Sequence, residues 1–484
     1  MTTSASRSSR GLVVVSNRLP GPAAIGGGLI TALDPVLREY RGRWVGWDGG
    51  CAQGWKPPPA GLGYRLDPVS LRDKEVEHYY HGFSNRTLWP LLHSLVGRTE
   101  IRHNFWRAYE AVNERFAAAV LAGCAPADLI WVHDYHLMLL PRLLREKGHA
   151  GPISWFLHTP FPPYEVFRIL PWRRQLLEGL LGADVLAFQT RGYCQSFLEC
   201  AGNVLNCPVE EDAIQFDGRW IKIHPAPISI DTAYFEQLGQ RTVGGARLKR
   251  LTRHLEGCQV VLGVDRLDYT KGIHERLAAV ERLLEEHPEH CQRVVFIQVA
   301  VPSRTRLAGY RNMKRQIDEK VGQINGRFTD GSWLPVRYLY RCMPPETLGA
   351  YYALADVALV TPLRDGMNLV AKEYVACHSE EGGALVLSEL AGAAEELRGA
   401  ISVNPYDIDG VAAALHRALA MDPAEKRRRM AAMKSYLRRH DVSAWAAGLV
   451  SEMEAHVPEA ALWSPPGTRS ESKSPRGRGA LLVP

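Results

Sequence analysis

The strongest constraint on the fold is a recurring pattern. Short apolar, β-branched runs are each followed by a polar loop and then an amphipathic stretch. The runs are residues 12–15, 129–132, 153–157, 184–188, 259–264, 294–299, 336–340, 357–360 and 384–387. Runs of this length without polar alternation suit strands covered on both faces. Between them, residues 273–286, 310–321, 345–353 and 410–420 repeat apolar positions at helical spacing. Such alternation predicts α/β domains built on parallel sheets.

With 484 residues and 46% hydrophobic content, the chain has material for two large α/β cores. The series breaks between about residues 232 and 256, where a charged helical stretch leads into a new strand. This divides the chain into Rossmann-like halves at 12–235 and 245–438. Residues 1–11 read as a flexible basic N-terminus. Residues 464–484, rich in Pro, Ser, Gly and Arg, read as a disordered tail.

The net charge of +6 has to be located before it is interpreted. Arg7 and Arg10 at one end, and Arg469, Lys473, Arg476 and Arg478 against Glu471 at the other, account for five of the six. The body is nearly neutral, and no aromatics interleave the terminal bases. Nucleic-acid binding and a membrane surface are therefore not expected. Nine cysteines are scattered without a CxxC pair, which fits a reducing cytoplasm rather than a zinc or disulfide framework. No run is long enough for a signal-peptide core or a membrane span.

Polar residues gather just after the predicted strands, where open parallel sheets bind ligands. Ser16-Asn17-Arg18 and then Gly26-Gly27-Gly28 follow the first strand. Glycines before a helix let amides approach a phosphate, though a triplet alone is equally a flexible turn. His133-Asp134 and His158 end neighbouring strands; they suit sugar hydroxyls, a metal pair or a satisfied core pair. In the second half, Arg266 and Lys271 lie five residues apart on a loop, as a diphosphate clamp would require, although a solvated loop also fits. Asp365 precedes a helix expected to begin near Asn368, whose first amides favour an anion. Glu373 lies further along that helix.

Several longer segments carry a resemblance. They include VVVSNRLP, WVGWDG, EHYYHGFSNRTLWP, IWVHDYHLMLLP, FLHTPFPPYEVFRILP, VDRLDYTKGI and ALVTPLRDGMNLVAKEYV, in that order from residue 12 to about 405. In these the chain resembles the trehalose-6-phosphate synthases, retaining glycosyltransferases of the GT-B fold, with two Rossmann-like domains facing across a cleft.

The resemblance implies an N-terminal acceptor domain, a C-terminal nucleotide-sugar domain, and a last helix of about 440–463 packing back on the first. It implies that Arg18, Trp47, Tyr80, Trp89 and Arg304 bind glucose 6-phosphate. Gly28, Gln189, Arg266, Lys271, Cys342, Asp365, Gly366, Met367, Asn368, Leu369 and Glu373 are then donor-side residues. Asp134, His158, Arg266, Lys271 and Asp365 stand nearest the chemistry. The implied reaction moves glucose from GDP-glucose or UDP-glucose to glucose 6-phosphate in the cytoplasm. No cofactor or metal is expected, because no DxD-type site occurs in the matched segments; a homo-oligomer is possible. Two departures stand out. The loop at 19–26 is shorter than in the family, and Cys342 occupies a position that can be His, leaving the donor base open. Other readings are a relative acting on another acceptor, such as glycerol 3-phosphate or a pseudo-sugar, and a non-catalytic synthase-like subunit.

Overall fold

The computed structural model describes residues 10–20, 28–49, 63–242, 245–253, 255, 257–305, 307–378 and 382–455. The terminal stretches 1–9 and 456–484, and most of the short loop at 19–26, lie outside the described residues.

The first sheet contains β1 (Leu12–Arg18), β2 (Arg43–Trp47), β3 (Arg65–Val69), β4 (Leu129–His133), β5 (Ile153–Phe156), β6 (Val185–Phe188), β7 (Ala213–Phe216) and β8 (Arg219–Pro225). Their spatial order is β3-β2-β1-β4-β5-β6-β8-β7. All neighbours are parallel except β7 and β8, an antiparallel hairpin turned at Asp217-Gly218, both with positive φ. The second sheet contains β9 (Gln259–Arg266), β10 (Val294–Val301), β11 (Val336–Tyr340), β12 (Val357–Val360), β13 (Ala384–Ser388) and β14 (Ile401–Val403). Its order is β11-β10-β9-β12-β13-β14, parallel throughout.

Both sheets thus share the doubly wound order 3-2-1-4-5-6 through their first six strands. The physical reason is the same in each. Helices that connect parallel strands must cover both faces, so the central strands are apolar throughout. In β4 and β12 every residue is buried. The helix Ile273–Glu286 shows the matching stripe, burying Ile273, Leu277, Val280 and Leu284 at helical spacing.

Between the sheets run the helices Thr232–Thr242 and Ala246–Thr252. After the second sheet the chain returns. Helix Pro423–Arg439 leads into Val442–Ala455, whose Trp445 ring lies 5.2 Å from Trp131 and 5.1 Å from Phe156 of the first sheet. Its indole donates to the Ala226 carbonyl. Among the described residues no helix is long and apolar enough to cross a membrane.

Candidate active site in the interdomain cleft

In a doubly wound sheet the strand order reverses beside the first strand, and the crevice beyond the carboxyl ends there receives a ligand. The two reversal points here lie between β1 and β4, and between β9 and β12. Arg18 closes β1, His133 closes β4 with Asp134 next, and Asp265 and Arg266 close β9. His158 and Asp365 follow β5 and β12. The domains touch across this zone: Trp89 of the first donates its indole N–H to Asp268 of the second at 3.4 Å.

On the first domain's side, the Arg18 guanidinium carbon stands 4.5 Å from the Trp47 ring centre and 5.0 Å from that of Tyr80. The two rings are 5.4 Å apart. Tyr80 belongs to a π-helical stretch, Val76–Leu88. Such wide turns recur at functional sites because they displace side chains from the regular helical surface. The stretch is anchored from inside by Tyr79, whose hydroxyl donates to Asn17 Oδ1 at 2.9 Å. The buried Trp47 indole N–H has no partner among the described residues.

Trp89 and Arg304 join the sides. The Arg304 guanidinium carbon lies 4.1 Å from the Trp89 ring, and its Nη1 donates to Asp268 Oδ2 at 2.7 Å. Asp268 also accepts from Thr270 N, Thr270 Oγ1 and the Tyr310 hydroxyl. Burial works against both charges. Asp268 nevertheless raises the Arg304 pKa, and Arg304 followed by Arg266 holds Asp268 below the usual carboxylate range. Arg304 is therefore half of a buried ion pair rather than an open cation.

Lys271 is also committed. Its Nζ lies 2.5 Å from Asp365 Oδ2, which accepts from Asn368 Nδ2 at 3.0 Å as well. Burial would raise Asp365, but Lys271 outweighs it and keeps the carboxylate ionised. Asn368 caps the helix Leu369–Cys377 from a left-handed conformation (φ 82°), accepting from Ala371 N. The helix start expected from the sequence is thus where the structure has it. Gly366 packs directly on the His158 and Thr159 backbone, leaving no room for a side chain, and Met367 is buried. Arg266 is exposed, with its guanidinium 5.6 Å from the Trp89 ring and no carboxylate partner among the described residues.

Behind Asp134, His133 Nδ1 and His158 Nε2 are 3.2 Å apart. Burial lowers both pKa values, that of His133 more strongly, so the pair is neutral and shares one N–H. Asp134 adopts φ 75° and accepts from His158 N. Gln189 is placed differently from the expectation. It is buried, and its amide donates to the His158 carbonyl and accepts from Ile228 N. It braces the His158 loop from behind instead of lining the cleft. Glu373 accepts from the Tyr352 hydroxyl at 2.7 Å, and burial raises its pKa. Cys342 is exposed beyond the edge strand β11, and no hydrogen bond joins it to the other site residues among those described. Gly28 opens the helix Gly28–Tyr40, but the turn before it lies outside the described residues.

The sequence reading missed two groups. Asp268 is the hub of the ion-pair knot. Arg276, fully buried, bonds Asp265 at 2.5 Å, Gln298 at 3.0 Å, Thr361 Oγ1 at 3.1 Å and the Lys271 carbonyl at 3.2 Å. It ties three strands to the Lys271 loop. The available signal was two acids flanking Arg266, and an Arg on the apolar face of helix Ile273–Glu286.

A family model described as glycosyltransferase family 20 matches residues 23–455. A trehalose-6-phosphate synthase from Mycobacterium sp. (strain KMS) is 44% identical over 455 residues, covering 90% of this chain and 93% of that one. A bifunctional trehalose-6-phosphate synthase/phosphatase from Thermoproteus tenax is 45% identical over 461 residues; the match covers 91% of this chain and 63% of that protein. The crystal structure of a UDP-forming α,α-trehalose-phosphate synthase from Burkholderia xenovorans, in complex with glucose-6-phosphate, superposes with a TM-score of 0.87 at 37% identity, covering 92% of this chain and all of the other. A family-model match that spans the whole second sheet and every strand of the first except β1, together with relatives more than 40% identical over nine-tenths of the chain, makes this chain a member of glycosyltransferase family 20.

Proposed function

We propose that the chain transfers glucose from a nucleoside-diphosphate glucose, GDP-glucose or UDP-glucose, to glucose 6-phosphate, giving α,α-trehalose 6-phosphate and the nucleoside diphosphate. The carrying observation is the division of labour among the cleft cations. Lys271 and Arg304 are engaged by carboxylates, whereas Arg18 and Arg266 have no carboxylate partner among the described residues and stand over aromatic rings on the two sides of one cleft. Two cations without counter-ions suit two phosphate groups, and the rings of Trp47, Tyr80 and Trp89 suit sugar faces. The complex of the Burkholderia relative with glucose-6-phosphate supports the acceptor assignment.

Arg266, together with Lys271 and the first amides of helix Leu369–Cys377, stabilises the diphosphate as it departs. Asp365, ionised and oriented by Lys271 and Asn368, accepts hydrogen bonds from donor-glucose hydroxyls. Glu373, held by the Tyr352 hydroxyl through one carboxylate oxygen, takes the ribose with the other. Asp134 and the His158 loop hold the two sugars at the reacting carbon. The acceptor hydroxyl attacks from the face the diphosphate leaves, and a leaving phosphate oxygen takes its proton. Configuration is retained without a protein nucleophile, and positioning supplies much of the rate. The fixed cations fill the electrostatic role a metal has in other transferases.

The test is a panel of UDP-, GDP- and ADP-glucose with glucose 6-phosphate, run with and without chelator and read by product chromatography. Trehalose 6-phosphate formed from at least one donor, undiminished by chelator, is expected. Product with another phosphorylated acceptor only, or none with any donor, would overturn the reading.

A further inference from the structure

We propose that His287, Glu289, His290 and His416 form a binding site for a zinc-class divalent transition-metal ion, on the face of the second domain away from the cleft. His287 caps the carboxyl end of helix Ile273–Glu286, and Glu289 and His290 lie in the single turn Pro288–His290 that follows. His416 projects from helix Ile408–Ala420, which packs alongside. All four stand near the amino ends of the strands, since β9 begins with Gln259 bonded to Arg293 and to Leu419.

The geometry is hard to account for as ordinary surface packing. The His287 and His416 rings are face to face, 3.7 Å apart and 7° from parallel. Glu289 Oε1 lies 3.3 Å from His287 Nδ1 and 3.9 Å from His416 Nδ1. His290 Nε2 lies 2.9 Å from His416 Nδ1. Ring nitrogens of His287 and His416 therefore face one carboxylate oxygen, with His290 hydrogen-bonded beside His416. A tetrahedral ion with bonds of about 2.0–2.1 Å needs donor atoms roughly 3.4 Å apart. Donor atoms of His287, Glu289 and His416 already lie within 4.8 Å of one another. His290 becomes the fourth donor on giving up its hydrogen bond to His416.

The chemistry selects the ion class. Three imidazole nitrogens and one carboxylate suit zinc, cobalt or nickel, whereas calcium and magnesium take oxygen ligands. The carboxyl end of helix Ile273–Glu286 adds a favourable partial negative charge. The ligands are partly exposed, so an ion can enter from solvent: side-chain exposure is 27% for His287, 54% for Glu289 and 34% for His416. Bound there, the ion staples two neighbouring helices, far from the reacting groups.

The test uses the full chain, stripped with chelator and desalted, then titrated with zinc chloride by calorimetry and followed by thermal unfolding. One saturable ion per chain and a raised melting temperature are expected. His416→Ala and Glu289→Gln should weaken binding by about a hundred-fold or more and abolish the thermal shift. Transferase activity without metal should be unchanged in both. Cobalt should give the absorption of a tetrahedral site without a thiolate charge-transfer band, which separates this site from the scattered cysteines. Should His416→Ala unfold, Glu289→Gln on the exposed turn decides. Absent saturable uptake, equal uptake by wild type and Glu289→Gln, or a thiolate band would overturn the proposal.

Discussion

At the scale of single residues, the cleft separates cations without a carboxylate partner among the described residues from cations held in ion pairs. Arg266 belongs to the first kind: Asp268 feels its charge, but no described carboxylate is in ion-pair contact with it, which under the proposed function leaves it for the diphosphate. Arg266→Ala should remove about 3 kcal/mol of transition-state stabilisation, on the order of a hundred-fold in kcat. Arg266→Lys should recover part of this, keeping the charge but losing the planar fork. Steady-state kinetics decide, and an unchanged kcat would sink the assignment. Arg304 and Asp268 belong to the second kind. Asp268→Asn leaves a buried guanidinium without its counter-charge and should cost about 3–5 kcal/mol of stability by urea unfolding. The sequence made Arg266 and Lys271 legible because they occur in a quotable motif. Asp268, one residue inside the same motif, was not legible as a hub. Its role depends on Arg304, Trp89 and Tyr310, which only the folded chain brings to it.

At the scale of elements, most central strands and the edge strand β11 were legible, whereas β2 and the remaining edges were not. Strands β11 and β12 coincide with the runs read from sequence, and β9 extends two residues further, to Arg266. Strand β3, with the sequence RLDPV, carries a proline and charges that only an edge position tolerates. Strand β14 is three residues long, and the β7–β8 hairpin is a short edge feature. None has the continuous apolar signature of a strand buried on both faces, so period alone passes over them. The turn after β9 is more tightly specified. Gly272 sits at φ 63° between the turn Tyr269–Lys271 and helix Ile273–Glu286, and any Cβ there would be driven into the Thr361 carbonyl. Gly272→Ala should cost about 2 kcal/mol or more in thermal unfolding. It should also lower kcat, because the displaced turn carries Lys271 away from Asp365. Loss of stability with kcat intact would show that the turn does not set the Lys271 position.

At the scale of the whole molecule, the two domains share a topology but differ in how they answer acid. The first buries several imidazoles in neutral form. Burial lowers His93 and His149 to about 4, and it also lowers His133, His136 and His158. For a group depressed in the folded state, the unfolded chain takes up the proton first. The stabilisation is therefore complete above the ordinary histidine value of 6.5 and is lost as pH falls below it, down to the folded pKa. At pH 5, His93 and His149 should each forfeit about 2 kcal/mol. In the second domain burial lowers His290 too, but it raises Asp265 and Glu373, so acidification there also relieves a penalty. The carboxylates held low, Asp268 and Asp365, lose their contribution only below the ordinary Asp value of 3.8, outside this window. Lowering the pH from 7 to 5 should therefore loosen the first sheet before the second. Hydrogen exchange, corrected for the intrinsic pH dependence of the rate, should show protection of β4 falling more than that of β9. His93→Gln should narrow the gap, since a glutamine has no proton to gain. Equal losses in the two strands, or an earlier loss in β9, would place the acid-sensitive element elsewhere and remove the buried imidazoles as its cause.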